Sequence, residues 1–227
     1  MKPCGVFIAG TDTAVGKTRI SAGLLGALRA RGLRVAGMKP VAAGAIRQDG
    51  RLISADAVIL ADNSQQDTPY EWLNPYALEL AESPHLGADE SGIQIDLAVI
   101  RRAYALLAAR HEWVVVEGAG GWFSPIGANT TMADIALALE LPVLLVVGLR
   151  LGCLNHALLT AGAIRASGLK LAGWIGSTLQ HPWSAASGNV EALTARLGMA
   201  PLAVLPWSES TAADQPRLAP AAAALLA

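Results

Sequence analysis

Short unbroken apolar runs recur along the chain at residues 6–9, 35–38, 113–116, 143–147, 171–175 and 202–205. Runs this short, bounded by glycine and polar residues, predict strands buried on both faces of a parallel sheet. Between them the period changes. Leu97, Ile100, Tyr104 and Leu107 fall at helical spacing, leaving Arg101, Arg102 and Arg110 for solvent, which predicts an amphipathic helix. Helices are also predicted over 18–30, 133–140, 154–167 and 190–197. Gly32, Gly168 and Gly198 each follow a helix, where a left-handed residue ends the turn. The alternation predicts an α/β fold, one doubly wound and mostly parallel sheet flanked by helices. Residues 62–95, rich in Pro, Asn, Ser and Gly, break the rhythm and read as an irregular excursion or lid within a single domain spanning 1–227. The Ala-rich stretch 218–227 reads as a short helix packed on the sheet.

Composition narrows the function. Apolar residues make up 53% of the chain, charged residues 15%, and the net charge is −1, so no basic footprint for nucleic acid exists and small molecules are the expected partners. The strongly apolar run 141–149 has nine residues, less than half of the roughly 20 that span a membrane. The N-terminus does not read as a signal peptide. Cys4 and Cys153 form no metal-ligand or disulfide pattern. The expectation is a cytoplasmic protein with reduced thiols.

The strongest chemical signal is Gly10-Thr-Asp-Thr-Ala-Val-Gly16-Lys17-Thr18, placed after the first strand and before the first helix, as a phosphate-binding P-loop requires. There backbone N–H groups cradle phosphate oxygens, Lys17 reaches the β- and γ-phosphates, and the Thr18 hydroxyl holds Mg²⁺. Five residues rather than four separate Gly10 from Gly16, so Thr11 stands at the usual first glycine and the loop is a variant. A second signal is Val116-Glu117-Gly-Ala-Gly-Gly121: a carboxylate at a strand's end faces metal or substrate, and glycines let amides approach an anion. Alone it reads equally well as an ordinary turn. Lys39, in Gly37-Met-Lys39-Pro40-Val-Ala-Ala43-Gly44, leaves the second strand beside the loop, where a cation neutralises developing phosphoryl or carboxylate charge. Asp56 follows the Asp49-Gly50 turn; it reads either as a helix cap or as a third Mg²⁺ ligand, and position alone does not decide.

Taken together with Asn74-Pro-Tyr76, Ser83-Pro-His85 and Leu151-Gly-Cys-Leu-Asn-His156, these motifs resemble the dethiobiotin synthetase family, in order across nearly the whole chain and including the odd P-loop gap. The resemblance implies an enzyme of biotin synthesis that uses ATP, Mg²⁺ and CO₂ to close 7,8-diaminononanoate into dethiobiotin, releasing ADP and phosphate. It implies Thr18, Asp56 and Glu117 as Mg²⁺ ligands and Lys17 and Lys39 as catalytic cations. On the nucleotide it implies Thr13, Ala14, Val15, Gly16, Lys17, Thr18, Glu117, Gly118, Gly120, Ser177, Pro206 and Trp207. On the substrate side it implies Thr11, Lys39, Ala43, Gly118 and Gly121, with Gly152, Cys153, Leu154 and Asn155 of a partner chain holding the distant carboxylate in a homodimer. Three positions depart from the family pattern: Ala14 where Glu is common, Ala43 where some relatives have Ser, and Ser177 where a base-reading Asn is usual. A switch ATPase of the septum-placement kind shares the fold and is the principal rival reading.

Overall fold

The computed structural model describes residues 5–65, 68–179, 183–208 and 214–227; Cys4 lies outside them. In chain order the elements are β1 (Gly5–Gly10), α1 (Lys17–Arg29), β2 (Val35–Met38), β3 (Val41–Ala42), β4 (Ile46–Gln48), β5 (Arg51–Ile53), α2 (Ala55–Asp62), α3 (Tyr70–Leu73), β6 (Tyr76–Ala77) and α4 (Pro84–Glu90). Then follow α5 (Leu97–Ala108), β7 (Trp113–Glu117), α6 (Met132–Leu139), β8 (Val143–Leu149), α7 (Cys153–Ala166), β9 (Leu171–Thr178), α8 (Ala186–Leu197), β10 (Ala203–Leu205) and α9 (Asp214–Leu226).

Six strands form the central sheet in the order β10-β9-β8-β1-β7-β2, and each neighbouring pair is parallel. Alternation along each strand sends neighbours to opposite faces. Phe7, Ala9, Val114 and Val116 join one core with Ile100 of α5, Ile135 of α6, Ile164 of α7 and Leu193 of α8. Val6, Ile8 and Val115 join the other with Ile20 and Leu24 of α1, Leu60 of α2 and Leu218 of α9. Both faces are covered, which is why the strands are apolar without alternation. The predicted helix ends hold: Gly32, Gly168 and Gly198 have φ of 84°, 84° and 71°.

The structure adds detail at two places. The C-terminal helix packs most extensively along α1 and also against β10, and its Leu218, Ala221 and Ala222 join the core on that face of the sheet. Gly23 of α1 makes this approach possible, because a Cβ there would lie 2.5 Å from Leu218 Cδ1. Within 62–95 the irregular excursion carries the short elements α3, β6 and α4. β6 pairs in parallel with β3, Val41 opposite Tyr76, and the Asn74 amide donates to the carbonyls of Lys39, at 2.7 Å, and Tyr76, at 3.2 Å. Side-chain bonds of this kind carry no periodicity, so the pattern of the sequence does not reveal them. Residues 66–67 lie outside the described part of this segment.

Candidate functional site

Three adjacent strands deliver the chemistry to one end of the sheet. β1 runs into the phosphate loop, and Ile8 pairs with Glu117, the last residue of β7. Met38 of β2 pairs with Val116, so Lys39, one residue on, emerges level with Glu117. The phosphate loop wraps the start of α1, where Gly16 is the cap with φ 93°. Only glycine fits: the φ is left-handed, and a Cβ would lie 2.7 Å from Ser177 Oγ. Ala14 is also left-handed, at φ 56°, a conformation that costs a non-glycine residue about 1 kcal/mol.

Around this loop the side chains converge. Lys17 Nζ donates to the carbonyls of Asp12 and Gly120, both at 2.8 Å, tying the loop to the turn after β7. Its third N–H remains for a phosphate oxygen. Thr18 Oγ1 donates to Glu117 Oε1 at 2.7 Å. Lys39 Nζ lies 2.6 Å from the same oxygen and 2.8 Å from Asp56 Oδ2. Lys39 and Glu117 are buried, 4% and 0% exposed, whereas Asp56 is 44% exposed. Asp56 is free for this contact because Ser54 Oγ caps α2, accepting from the Ala57 amide; the capping reading of Asp56 is thereby replaced.

The electrostatics follow from this packing. Burial, reinforced by the Lys39 charge, lowers Lys17 to about 8. Burial alone would also lower Lys39, but the Glu117 and Asp56 carboxylates outweigh it and hold the ammonium above its ordinary value. For Asp56 burial pushes upward, yet Lys39 and the Thr18 hydroxyl prevail and keep the carboxyl below its usual range. Glu117 Oε2 is buried and has no hydrogen-bond partner, which suits a cation. Among the described residues no three His, Cys, Asp or Glu side chains cluster as a metal site. Two carboxylates and one hydroxyl, all hard oxygen donors, fit Mg²⁺, which takes few protein ligands and completes its shell with phosphates and water.

A cavity of about 610 Å³ opens over these groups, lined by Thr13, Ala14, Gly16, Lys17, Thr18, Lys39, Ala43, Asp56, Glu117 and Gly120 among the expected residues. Other expected residues lie off it. Thr11 Oγ1 accepts from the Gly148 amide at 3.3 Å, Val15 is in the core, and the Gly118 amide donates to Ile8. The Gly121 amide donates to Ser124 Oγ at 2.7 Å. Ser177 is buried under Gly16, and Pro206 and Trp207 follow β10. Gly152, Cys153, Leu154 and Asn155 stand at the start of α7, outside this cavity. Sequence reasoning missed Arg19, Glu82, Ser83, Pro84 and Ser124, which also line it. The Ser83-Pro84 step and the position of Arg19 directly after Thr18 were the available signals.

Comparison with known proteins agrees with this geometry. An AAA domain family model matches residues 4–215. The ATP-dependent dethiobiotin synthetase BioD of Xanthomonas campestris pv. campestris is 44% identical over 208 residues, covering 92% of this chain and 93% of the relative. The chain belongs to the dethiobiotin synthetase family. Another member, the BioD of Aromatoleum aromaticum, is 46% identical over 205 residues, covering 90% and 91% of the two chains. Among solved structures, the septum site-determining protein MinD of Pyrococcus horikoshii, complexed with Mg-ADP, superposes with a TM-score of 0.57 at 15% identity, covering 96% of this chain and 94% of that one. That likeness establishes the P-loop fold of this dethiobiotin synthetase family member and goes no further.

Proposed function

We propose that the protein is an ATP- and Mg²⁺-dependent ligase that forms dethiobiotin, ADP and phosphate from 7,8-diaminononanoate, CO₂ and ATP. The observation that carries this reading is the convergence of Lys17, Thr18, Lys39, Asp56 and Glu117 on one phosphate loop. One substrate amine attacks CO₂, forming a C–N bond and shedding a proton, to give a carbamate. A carbamate oxygen then takes the γ-phosphoryl group as the bond to ADP breaks, which makes a leaving group. The second amine attacks the carbonyl carbon, phosphate departs, and the cyclic urea closes. Thr18, Asp56 and Glu117 would hold Mg²⁺, which when bound supplies charge neutralisation on the phosphates. Lys17 grips the transferring phosphoryl group, and Lys39 faces the charge that builds between phosphate and carbamate. Ala43 lines the same cavity.

The remaining expectations form one consistent picture. The chain acts as one domain in the cytoplasm, and as a homodimer. Support for the dimer comes from Leu151, just before α7, and Leu159 within it, 91% and 65% exposed, and from the N-terminus of α7, which suits the carboxylate of a substrate bound to a partner. Pro206 and Trp207 serve the nucleobase. The test is ADP release by purified protein with ATP, Mg²⁺ and bicarbonate, with and without 7,8-diaminononanoate, following dethiobiotin by mass. Diamine-dependent ADP release in step with dethiobiotin is expected; diamine-independent hydrolysis would instead favour a switch ATPase.

A further inference from the structure

A buried ion pair on the flank of α1 turned toward β10 and α9 has no part in the chemistry above. Arg19 Nε and Nη2 both donate to the Asp214 carboxylate, the second at 2.8 Å, and Nη1 donates to the Pro206 carbonyl at 3.0 Å. Arg19 is 13% exposed and Asp214 1%, so two charges are withdrawn from water at a cost that only good geometry offsets. A bidentate fork with a third acceptor is such a geometry.

Its location gives it a role. Successive residues of a helix are turned by about 100°. Thr18 faces Glu117 and Asp56, so Arg19 is turned about 100° from them, toward β10 and α9, while still lining the cavity. A nucleotide whose terminal phosphate lies beside Lys39 and Glu117 must extend its base away from them, toward Arg19. That end is bounded by Ser177, whose partner in the sheet is Leu205, and by Pro206 immediately after it. Ser177 offers one short hydroxyl, too little to fix a base by itself. Three of the five Arg19 N–H groups are engaged, which leaves two toward a ligand.

We propose that Arg19, clamped by Asp214 to the C-terminal helix and bonded to the Pro206 carbonyl, is a positioning residue that holds the base-side wall of the nucleotide site in place before ATP arrives. The inference rests on the reading that ATP occupies this cavity. A wall fixed in advance need not be ordered on binding, and affinity rises accordingly. Gly23, which admits Leu218 against α1, and Arg19 thus serve one end: α9 is held rigidly on the phosphate-loop helix.

Calorimetric titration of ATP and of tripolyphosphate, which has the phosphates without the base, tests this. The double variant Arg19→Met/Asp214→Asn removes both charges and leaves no unpaired ion in the interior; Arg19→Lys keeps the charge and loses the fork. In the double variant ATP should bind about tenfold more weakly while tripolyphosphate changes less than about twofold, and the KM for ATP should rise with kcat unchanged. Arg19→Lys should show the same pattern in smaller measure and carries the test should the double variant fail to fold. Equal losses for both ligands would place Arg19 on the phosphates, and no loss would make the clamp a matter of folding alone; either overturns the proposal. A wild-type protein that binds tripolyphosphate and not ATP would instead refute the nucleotide reading on which it rests.

Discussion

Replacing Lys39 with Met probes the centre of the site. The substitution keeps the apolar stem but strips the cation from between Glu117 Oε1, at 2.6 Å, and Asp56 Oδ2, at 2.8 Å. Removing one partner of a buried ion pair costs about 3–5 kcal/mol, because the other charge is stranded. Two features lower that figure here: the Thr18 hydroxyl still donates to Glu117, and Asp56 is half in water. A loss of about 3 kcal/mol is therefore expected at neutral pH, and with a urea m-value near 2 kcal/mol/M the midpoint falls by roughly 1.5 M. Glu117→Gln alone leaves Lys39 paired with Asp56 and should lose about 1 kcal/mol, and Lys39→Met/Glu117→Gln, which removes both charges, also only about 1 kcal/mol, so the two sites are coupled by about 3 kcal/mol. Diamine-dependent ADP release should fall by at least about a hundredfold in the single and the double variant alike. A single-variant midpoint within roughly 0.3 M of wild type, or single-variant losses that simply add, would refute the reading of Lys39 and Glu117 as a buried, mutually dependent pair.

Other consequences are as direct. Gly23→Ala gains about 1 kcal/mol of helix propensity and loses about 1–3 to overpacking against Leu218, so urea unfolding should show a net loss near 1 kcal/mol; Gly188→Ala in α8, with nothing within 4 Å of the new methyl, should gain about 0.5–1 kcal/mol. Lys17, lowered to about 8 by burial and Lys39, gives up its proton as pH rises from 7 to 9, where an ordinary lysine stays charged to about 10. Tripolyphosphate binding should weaken over that window and take up a proton near pH 8.5, and a flat affinity would contradict it. Burial raises the Cys153 thiol, so in a Cys4→Ser background iodoacetamide at pH 8 should modify the folded protein on the order of 100-fold more slowly than the urea-unfolded chain; comparable rates would show the start of α7 to be open.

What the sequence disclosed depended on the range of the interaction. Strand runs such as 35–38 and the α5 face built on Ile100 and Leu107 are local periodicities, and they stand in the structure within a residue or two. The phosphate loop was equally legible, since GKT between a strand and a helix is one contiguous signal. Asp56 was not, because its role depends on Ser54 taking the cap and on Lys39 arriving from another strand. Arg19 shows the limit most sharply: its partner lies 195 residues away, at the head of a helix whose Ala-rich sequence suggests filler. A long-range ion pair leaves no spacing to read, and only the register of β9 with β10 and the packing of α9 on α1 bring its two halves together. Selection at such a pair acts on geometry that neither residue carries alone, so a change at Asp214, remote from every motif, should be felt at the nucleotide.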